Sequence, residues 1–311
     1  MTDRTDSLLR RRQTEPGMMS MLRAMSVCYS RAQRLDGLRT SASAGIAGAG
    51  ATVAFTGVST TVVTALGALW AVTNALGLAS WSRGQLRRAA TIQEMFDVDL
   101  FGLPWNEVAA GERVTAPEIS RLDRAFRGTE RYLRDYYEIP DLPAPYDVLA
   151  CQQQSLGWGA RLRRRYAHTV LAVVAAWAAT GVVYGVLADL TVAHLLLAWF
   201  VPSLGALLLG VEIYRGQRDV AVERDRASAV VNERITSAVR DASAAADLLG
   251  VARQVQDLLF RTRCTQARVP NCFFRRFHAA DRVDFQSTMT GLGHLLNRPA
   301  PGGAARWVST S

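Results

Sequence analysis

Two long stretches without charge constrain this chain more than anything else in it. Residues 40–82 contain no Asp, Glu, Arg or Lys, and residues 166–211 contain one, Asp189, near the middle. A helix rises about 1.5 Å per residue, so the 43 residues of the first stretch would reach roughly 65 Å as one rod. The hydrocarbon core takes only about 20 apolar residues per crossing. Each stretch therefore reads as two crossings joined by a short turn, with Asp189 at the tip of the second, where a charge reaches water. The expected fold class is all-α: an integral membrane protein with four transmembrane helices in two hairpins plus helical cytoplasmic segments.

Charge orients those hairpins. The net charge of +9 is carried by 36 basic residues, every one an Arg. None lies inside either stretch; Arg34 and Arg39, Arg83, Arg87 and Arg88, Arg161 to Arg165, and Arg215 and Arg218 flank the four crossings. Arg near the ends of crossings marks the cytoplasmic side. The chain then divides into a cytoplasmic N-terminal segment with an amphipathic helix (1–39), a first hairpin (40–82), a cytoplasmic helical domain (83–165) and a second hairpin (166–211). A cytoplasmic long helix with a C-terminal region (212–298) and a disordered tail (299–311) follow. Both termini are expected in the cytoplasm of a multi-pass protein, with only hairpin tips outside. The apolar run starts too late and runs too long for a signal peptide. An all-Arg complement fits phosphate recognition through the guanidinium fork, but total absence of Lys says more about a coding bias than about chemistry; flanking Arg in either case draws anionic lipid headgroups. Four cysteines lie in the polar segments without CxxC or finger-like spacing, as reduced thiols would.

Periodicity places the remaining elements. Met18, Met21, Leu22, Met25 and Tyr29 form a helical stripe suited to the membrane surface or to docking on a cytoplasmic body. The first hairpin is rich in Gly and Ala, and its hydroxyls offer Thr52, Thr56, Thr60, Thr64 and, with an amide, Asn74 as candidate pore lining. The alternative is that each hydroxyl bonds its own helix carbonyl. Gly181 and Gly185 make a GxxxG in the second hairpin. Thr115-Ala116-Pro117-Glu118 reads as a capping box opening a helix whose apolar face runs from Ile119 to Tyr136. Val231, Ile235, Ala238, Ala242, Ala245, Leu249, Ala252 and Leu259 predict one long helix with a shallow seam. No phosphate loop, nucleophile elbow, zinc-protease helix or dinucleotide turn is found, and the four His are scattered, so an enzyme is not expected and no cofactor or metal is implied.

Two segments are more particular than composition explains. One follows the second crossing: Ile92-Gln93-Glu94-Met95-Phe96-Asp97, then Leu103-Pro104-Trp105-Asn106. The other runs Gln254-Val255-Gln256-Asp257-Leu258-Leu259-Phe260-Arg261-Thr262-Arg263, then Phe273-Phe274-Arg275-Arg276. With the two cytoplasm-flanked hairpins, the chain resembles the SMODS-associated four-transmembrane family of effectors, for which a pore-forming role is inferred. The resemblance implies an effector of bacterial antiphage systems in the inner membrane. A nucleotidyltransferase there makes a cyclic oligonucleotide on infection; the effector senses it and damages the membrane, so the cell dies before the phage matures. The implied partners are the lipid bilayer, further copies of the chain as a homo-oligomer, and that cyclic oligonucleotide, with no polymeric nucleic acid.

The residues themselves suggest where such a ligand binds. Gln256, Asp257, Arg261 and Arg263 with Arg275 and Arg276 are the densest basic and polar cluster of the last segment, suited to phosphates and base edges or equally to lipid phosphates. In the first segment Phe96, Leu103 and Trp105 supply apolar bulk broken by Pro104, and Gln93, Glu94, Asp97 and Asn106 supply polar groups; scaffold and ligand contact are both open. A membrane scaffold recruiting a soluble partner through residues 217–260, without a pore, is the rival reading.

Overall fold

The computed structural model describes residues 8–56, 61–241, 247–265 and 269–296. Every regular element among them is helical. Helix α1 spans Leu8–Gln13, α2 Pro16–Thr56, α3 Thr61–Thr73 and α4 Ala79–Phe101. Short helices α5 (Glu107–Ala110), α6 (Ala116–Arg124) and α7 (Arg131–Arg134) follow. Then come α8 (Tyr146–Leu187), α9 (Val192–Leu195), α10 (Val201–Arg240), α11 (Leu248–Thr265) and α12 (Asn271–Leu296). A π turn, Asn74–Leu78, joins α3 to α4 and another, Leu196–Phe200, joins α9 to α10, with helical backbone on both sides of each. The architecture is therefore four rods of 40 residues or more, about 60–75 Å long.

The rods pair as antiparallel hairpins. In the first, the Trp70 indole N–H donates to Ser43 Oγ at 2.9 Å and the Arg39 guanidinium to Asn74 Oδ1 at 2.6 Å, one register along α2 and the return helix. In the second, Trp177 donates to Ser203 at 2.9 Å, and the glycines of the GxxxG face Trp199 and Leu195. A Cβ on Gly181 would collide with the Trp199 indole, and one on Gly50 with Pro202, so glycine is what lets α2 approach α10. Asp189 sits in the turn after α8 with φ 51, a left-handed conformation that Asp tolerates, and its position at the hairpin tip is as the sequence predicted.

The two ends of the bundle hide opposite faces. Leu66, Leu69 and Val72 on α3, Val173, Val182, Val183 and Val186 on α8, and Leu197, Leu204 and Leu208 on the return rod are all exposed. Tyr146–Leu187 and Val192–Arg240 are long and apolar enough to cross a membrane, and only 11% and 28% of their most apolar windows are buried within the chain. A core helix of a water-soluble protein would be mostly buried; an apolar belt left open needs lipid. The first hairpin has less apolar reach. From the Arg39–Asn74 contact to Thr56 is 17 residues, about 26 Å of helix.

The other end is a conventional core. It takes α2 only up to Ala32, α4 only from Leu86, α8 up to Leu156 and α10 from Val231, with Leu22, Met25, Ile92, Phe96, Leu100, Leu149 and Leu259 among its fully buried members. The Met18–Ala32 stripe thus docks on the body. Residues before Pro16 include α1, because Leu9 is buried and Gln13 brackets the Tyr137 backbone, accepting from its N–H at 3.0 Å and donating to its carbonyl at 3.3 Å.

Three expectations need correction. The long helix ends at Arg240, and α11 runs back antiparallel along α10, with Arg224 on Thr262 and Arg234 near Asp247. Reversal lays Leu248, Ala252 and Leu259 into the core, where burying apolar surface is favourable; Ala242 and Ala245 lie outside the described residues, as does the tail from Pro299. The helix from Thr115 is two short helices, α6 and α7, although Leu122 and Leu133 still face the core. Thr115 starts it without a side-chain cap, since Glu118 turns to Arg88 at 3.1 Å.

Arg23 of α2 clamps these short helices by donating to both carboxylate oxygens of Asp123 and, at 3.0 Å, to Glu130. The Arg23 hydrogen bond holds the Asp123 carboxyl below its ordinary pKa of 3.8. This contribution is complete above pH 3.8 and disappears as pH falls through the lower folded value. Arg23→Ala is expected to cost about 1–3 kcal/mol at pH 7 and less in stronger acid, measured by urea denaturation of the detergent-solubilised protein at both pH values.

A candidate ligand cavity beside a buried acid–arginine network

Residues 94 and 97 lie three apart on α4 and therefore share one face, which α11 covers. Both carboxylates are buried, Asp97 completely. Helix α11 meets them with donors spaced along its own inner face. Arg253 Nη2 donates to Glu94 Oε1 at 2.7 Å, and the Gln256 amide to Glu94 Oε2 at 2.8 Å and Asp97 Oδ2 at 3.0 Å. Arg263 Nη1 donates to Asp97 Oδ2 at 2.6 Å, and the Tyr137 hydroxyl to Asp97 Oδ1 at 2.8 Å. Gln152 of α8 donates to Gln256 Oε1 at 3.2 Å. Burial pushes the Glu94 carboxyl up, against the Arg253 bond. Burial also opposes the Arg263 charge, but Asp97 and the neighbouring tyrosines outweigh it and raise its pKa. Burial and the Asp97 charge keep the Tyr137 phenol neutral, a donor.

The segment after α4 docks on the same helix. Gly102 closes α4 at φ 67 and Leu103 N–H returns to the Val98 carbonyl at 3.1 Å, a left-handed stop followed by Pro104. Arg253 Nη1 holds the Pro104 carbonyl at 2.8 Å. Trp105 donates to the Gly111 carbonyl at 3.0 Å under the Arg113 guanidinium. Asn106 caps α5 through Ala109 N–H and donates to Asp257 at 3.1 Å. Two segments 150 residues apart in sequence thus form one interface: Glu94, Asp97, Pro104 and Asn106 on one side, Arg253, Gln256, Asp257 and Arg263 on the other.

Gln93 points elsewhere. It accepts from the Tyr29 hydroxyl at 2.7 Å and donates to Tyr136, on the wall of a cavity of about 560 Å³ enclosed by α2, α4, α8, α10, α11 and the chain around α7 and α12. That size is typical of small-molecule sites. Arg263 borders it from the network side, and Arg163, Arg224 and the exposed Arg131 line it together with Asp135 and Glu138. Arg163 donates to Gln217 at 2.6 Å; Arg224 donates to Thr262 at 3.1 Å and to the Ser155 carbonyl at 3.3 Å. Trp158 and Phe274 stack with centroids 6.0 Å apart, and Tyr136 meets Phe96 edge-on.

The six residues proposed from sequence as one sensor surface do not lie together. Gln256 and Arg263 turn inward; Asp257 is held by Asn106 and Arg253; Arg261 is exposed, 3.6 Å from Glu223; Arg275 and the exposed Arg276 sit on α12. Of the pore candidates, Thr52 is exposed with its hydroxyl on the Gly48 carbonyl, Asn74 is tied to Arg39, Thr56 and Thr64 belong to α2 and α3, and Thr60 lies outside the described residues. Arg224 and Trp158 escaped the sequence reading, while Tyr136 figured there only as part of an apolar helix face and Phe274 only within a family segment. Arg163 counted there only as a flanking charge of the third crossing.

Removing Asp97 strands a buried guanidinium, so Asp97→Ala is expected to cost about 3–5 kcal/mol. Glu94→Gln, at a site where burial already disfavours the charge, is expected to cost about 1–2 kcal/mol. Chemical denaturation followed by circular dichroism compares them; equal losses would show that the Asp97–Arg263 pair does not hold α11.

The profile of the SMODS-associating 4TM effector domain matches residues 8–292, a span that includes both hairpins, the network and the cavity. A Bacillus cereus (strain VD146) protein named "Probable CBASS effector molecule" is 25% identical over 200 residues, covering 62% of this chain and 68% of that protein. No solved structure matches the chain. The chain belongs to the SMODS-associating 4TM effector domain family.

Proposed function

We infer that this protein is a CBASS effector: a membrane-disrupting, pore-forming component of a bacterial cyclic-oligonucleotide defence system that causes abortive infection. In this reading all four rods cross the inner membrane as two hairpins, 40–82 and 166–211. The segments 1–39, 83–165 and 212–298 are cytoplasmic, with the tail 299–311 beyond them. The arginines flanking each stretch support that orientation. The role is binding and gating, without turnover.

One observation carries the reading. Helix α8 and the α9–α10 rod run without a break from an exposed apolar belt into a body that holds a basic, aromatic-lined cavity. A ligand that binds one arrangement of the body more tightly than another shifts the packing of the same helices in the bilayer. Four rods packed on one another leave no wide channel, so the open form is an oligomer, with the Gly- and Thr-rich first hairpin and its exposed Thr52 as the lining. The scaffold alternative draws less support. The seam it would offer a partner, Val231, Ile235, Leu248, Ala252 and Leu259, is buried within the chain itself.

The test is dye release from liposomes carrying purified protein, cytoplasmic face outward as checked by protease, with a panel of cyclic di- and trinucleotides added outside. Release with one nucleotide and not with the others is the expected result. Correct insertion and measurable nucleotide binding without release would remove the pore and favour the scaffold.

A further inference from the structure

The cavity walls combine arginines with aromatic rings. Four arginines, Arg131, Arg163, Arg224 and Arg263, face it against two carboxylates, Asp135 and Glu138. Arg263 is the informative one. Its side chain is 6% exposed, and its one hydrogen bond, to Asp97, engages a single N–H of the five a guanidinium carries. Among the described residues no acceptor reaches the others, and Arg263 borders the void. A buried guanidinium with donors left over, facing a space with positive surplus, is built for an anion. The rings of Trp158, Tyr136 and Phe274 line the same cavity, as does the exposed Asn271 with its amide. Phosphate for arginine, stacking for aromatics and a base edge for an amide describe a nucleotide.

Gly159 shows that the space is shaped. A Cβ there would collide with Arg224 Nη1, so the absent side chain is what lets this guanidinium lie along the wall. Asp97 fixes Arg263 from behind, which links the cavity to the α4–α11 interface. A ligand that pulls on Arg263 loads the pair that holds α11 in place.

We propose that this cavity is the sensor site, that Arg263 is the ligand-contacting guanidinium on its floor, and that the ligand is a phosphodiester carrying at least one planar base. The proposal rests on the reading of a nucleotide-gated effector and places its site away from the outward-facing Arg261 and Arg276. The full chain in nanodiscs is titrated with the cyclic di- and trinucleotide panel, with inorganic phosphate and free nucleosides as further arms. Binding is read by calorimetry and by tryptophan fluorescence. Arg263→Lys keeps the charge and loses the fork; affinity for the cyclic nucleotide that binds is expected to fall about tenfold or more. Gly159→Ala, which removes no charged group but displaces the Arg224 guanidinium from the wall, is expected to weaken binding about threefold or more, and Trp158→Phe to abolish most of the fluorescence change while binding persists. Arg261→Gln and Arg276→Gln are expected to bind as the parent does. If the parent binds a cyclic nucleotide but Arg263→Lys and Gly159→Ala bind equally well, the site is elsewhere and the gated-effector reading stands. If no cyclic nucleotide binds the parent, both fall. Phosphate or nucleoside binding as tight as the cyclic nucleotide's would overturn the ligand class.

Discussion

A helix that leaves a bilayer without ending must change which face it hides. Above the membrane boundary its apolar side chains belong outside, against lipid; below it they belong inside, against other helices. Helix α8 and the α9–α10 rod, the two long and apolar enough to cross a membrane, make that change in mid-course. Helix α8 exposes Val173, Val182 and Val186 at one end and buries Leu149 and Leu156 at the other. The rest of the molecule follows from this. The shorter helices collect only where the rods present an inward apolar face, and the first hairpin and second hairpin touch closely at points such as Gly50 and Pro202.

Charge handles the interface that apolar packing cannot specify. Core side chains would let α11 slide along α4, because one buried Leu packs much like another. Glu94 and Asp97 accept only a register that brings Arg253, Gln256 and Arg263 to their oxygens at once. A buried ion pair adds little net stability over a well-packed apolar contact, but a misaligned one is heavily penalised. The network therefore reads best as a register device, with Pro104 and Asn106 extending it beyond the end of α4.

Much of the fold was legible in the sequence because its strongest signals are one-dimensional. Absence of charge marks the two hairpins, Asp189 marks a tip, and Met18 to Tyr29 marks a buried stripe. The reversal after Arg240 was not legible. An alanine-rich, uninterrupted pattern predicts continuation, and only the carboxylates on α4, some 150 residues away, say that α11 must turn back. The cavity was hidden for a similar reason. Its arginines come from α7, α8, α10 and α11, and Arg163 among three other arginines looks like a membrane flank until Gln217 is found beside it. The two family segments were recognised as particular, yet not as halves of one joint, since nothing in either names its complement.

The two π turns bear on how a rod can face lipid at one end and a core at the other. Each lies in a returning rod, Asn74–Leu78 near the base of the first hairpin and Leu196–Phe200 near the tip of the second. An α-helix turns about 100° per residue, so a turn that takes in one extra residue rotates everything beyond it by about that angle relative to an unbroken α-helix. The azimuth of α4 toward α11 is thereby decoupled from the azimuth of α3 toward its surroundings, and the apolar stripes on either side need not be collinear in sequence. A single inserted residue thus resets the phase between two stretches of one rod.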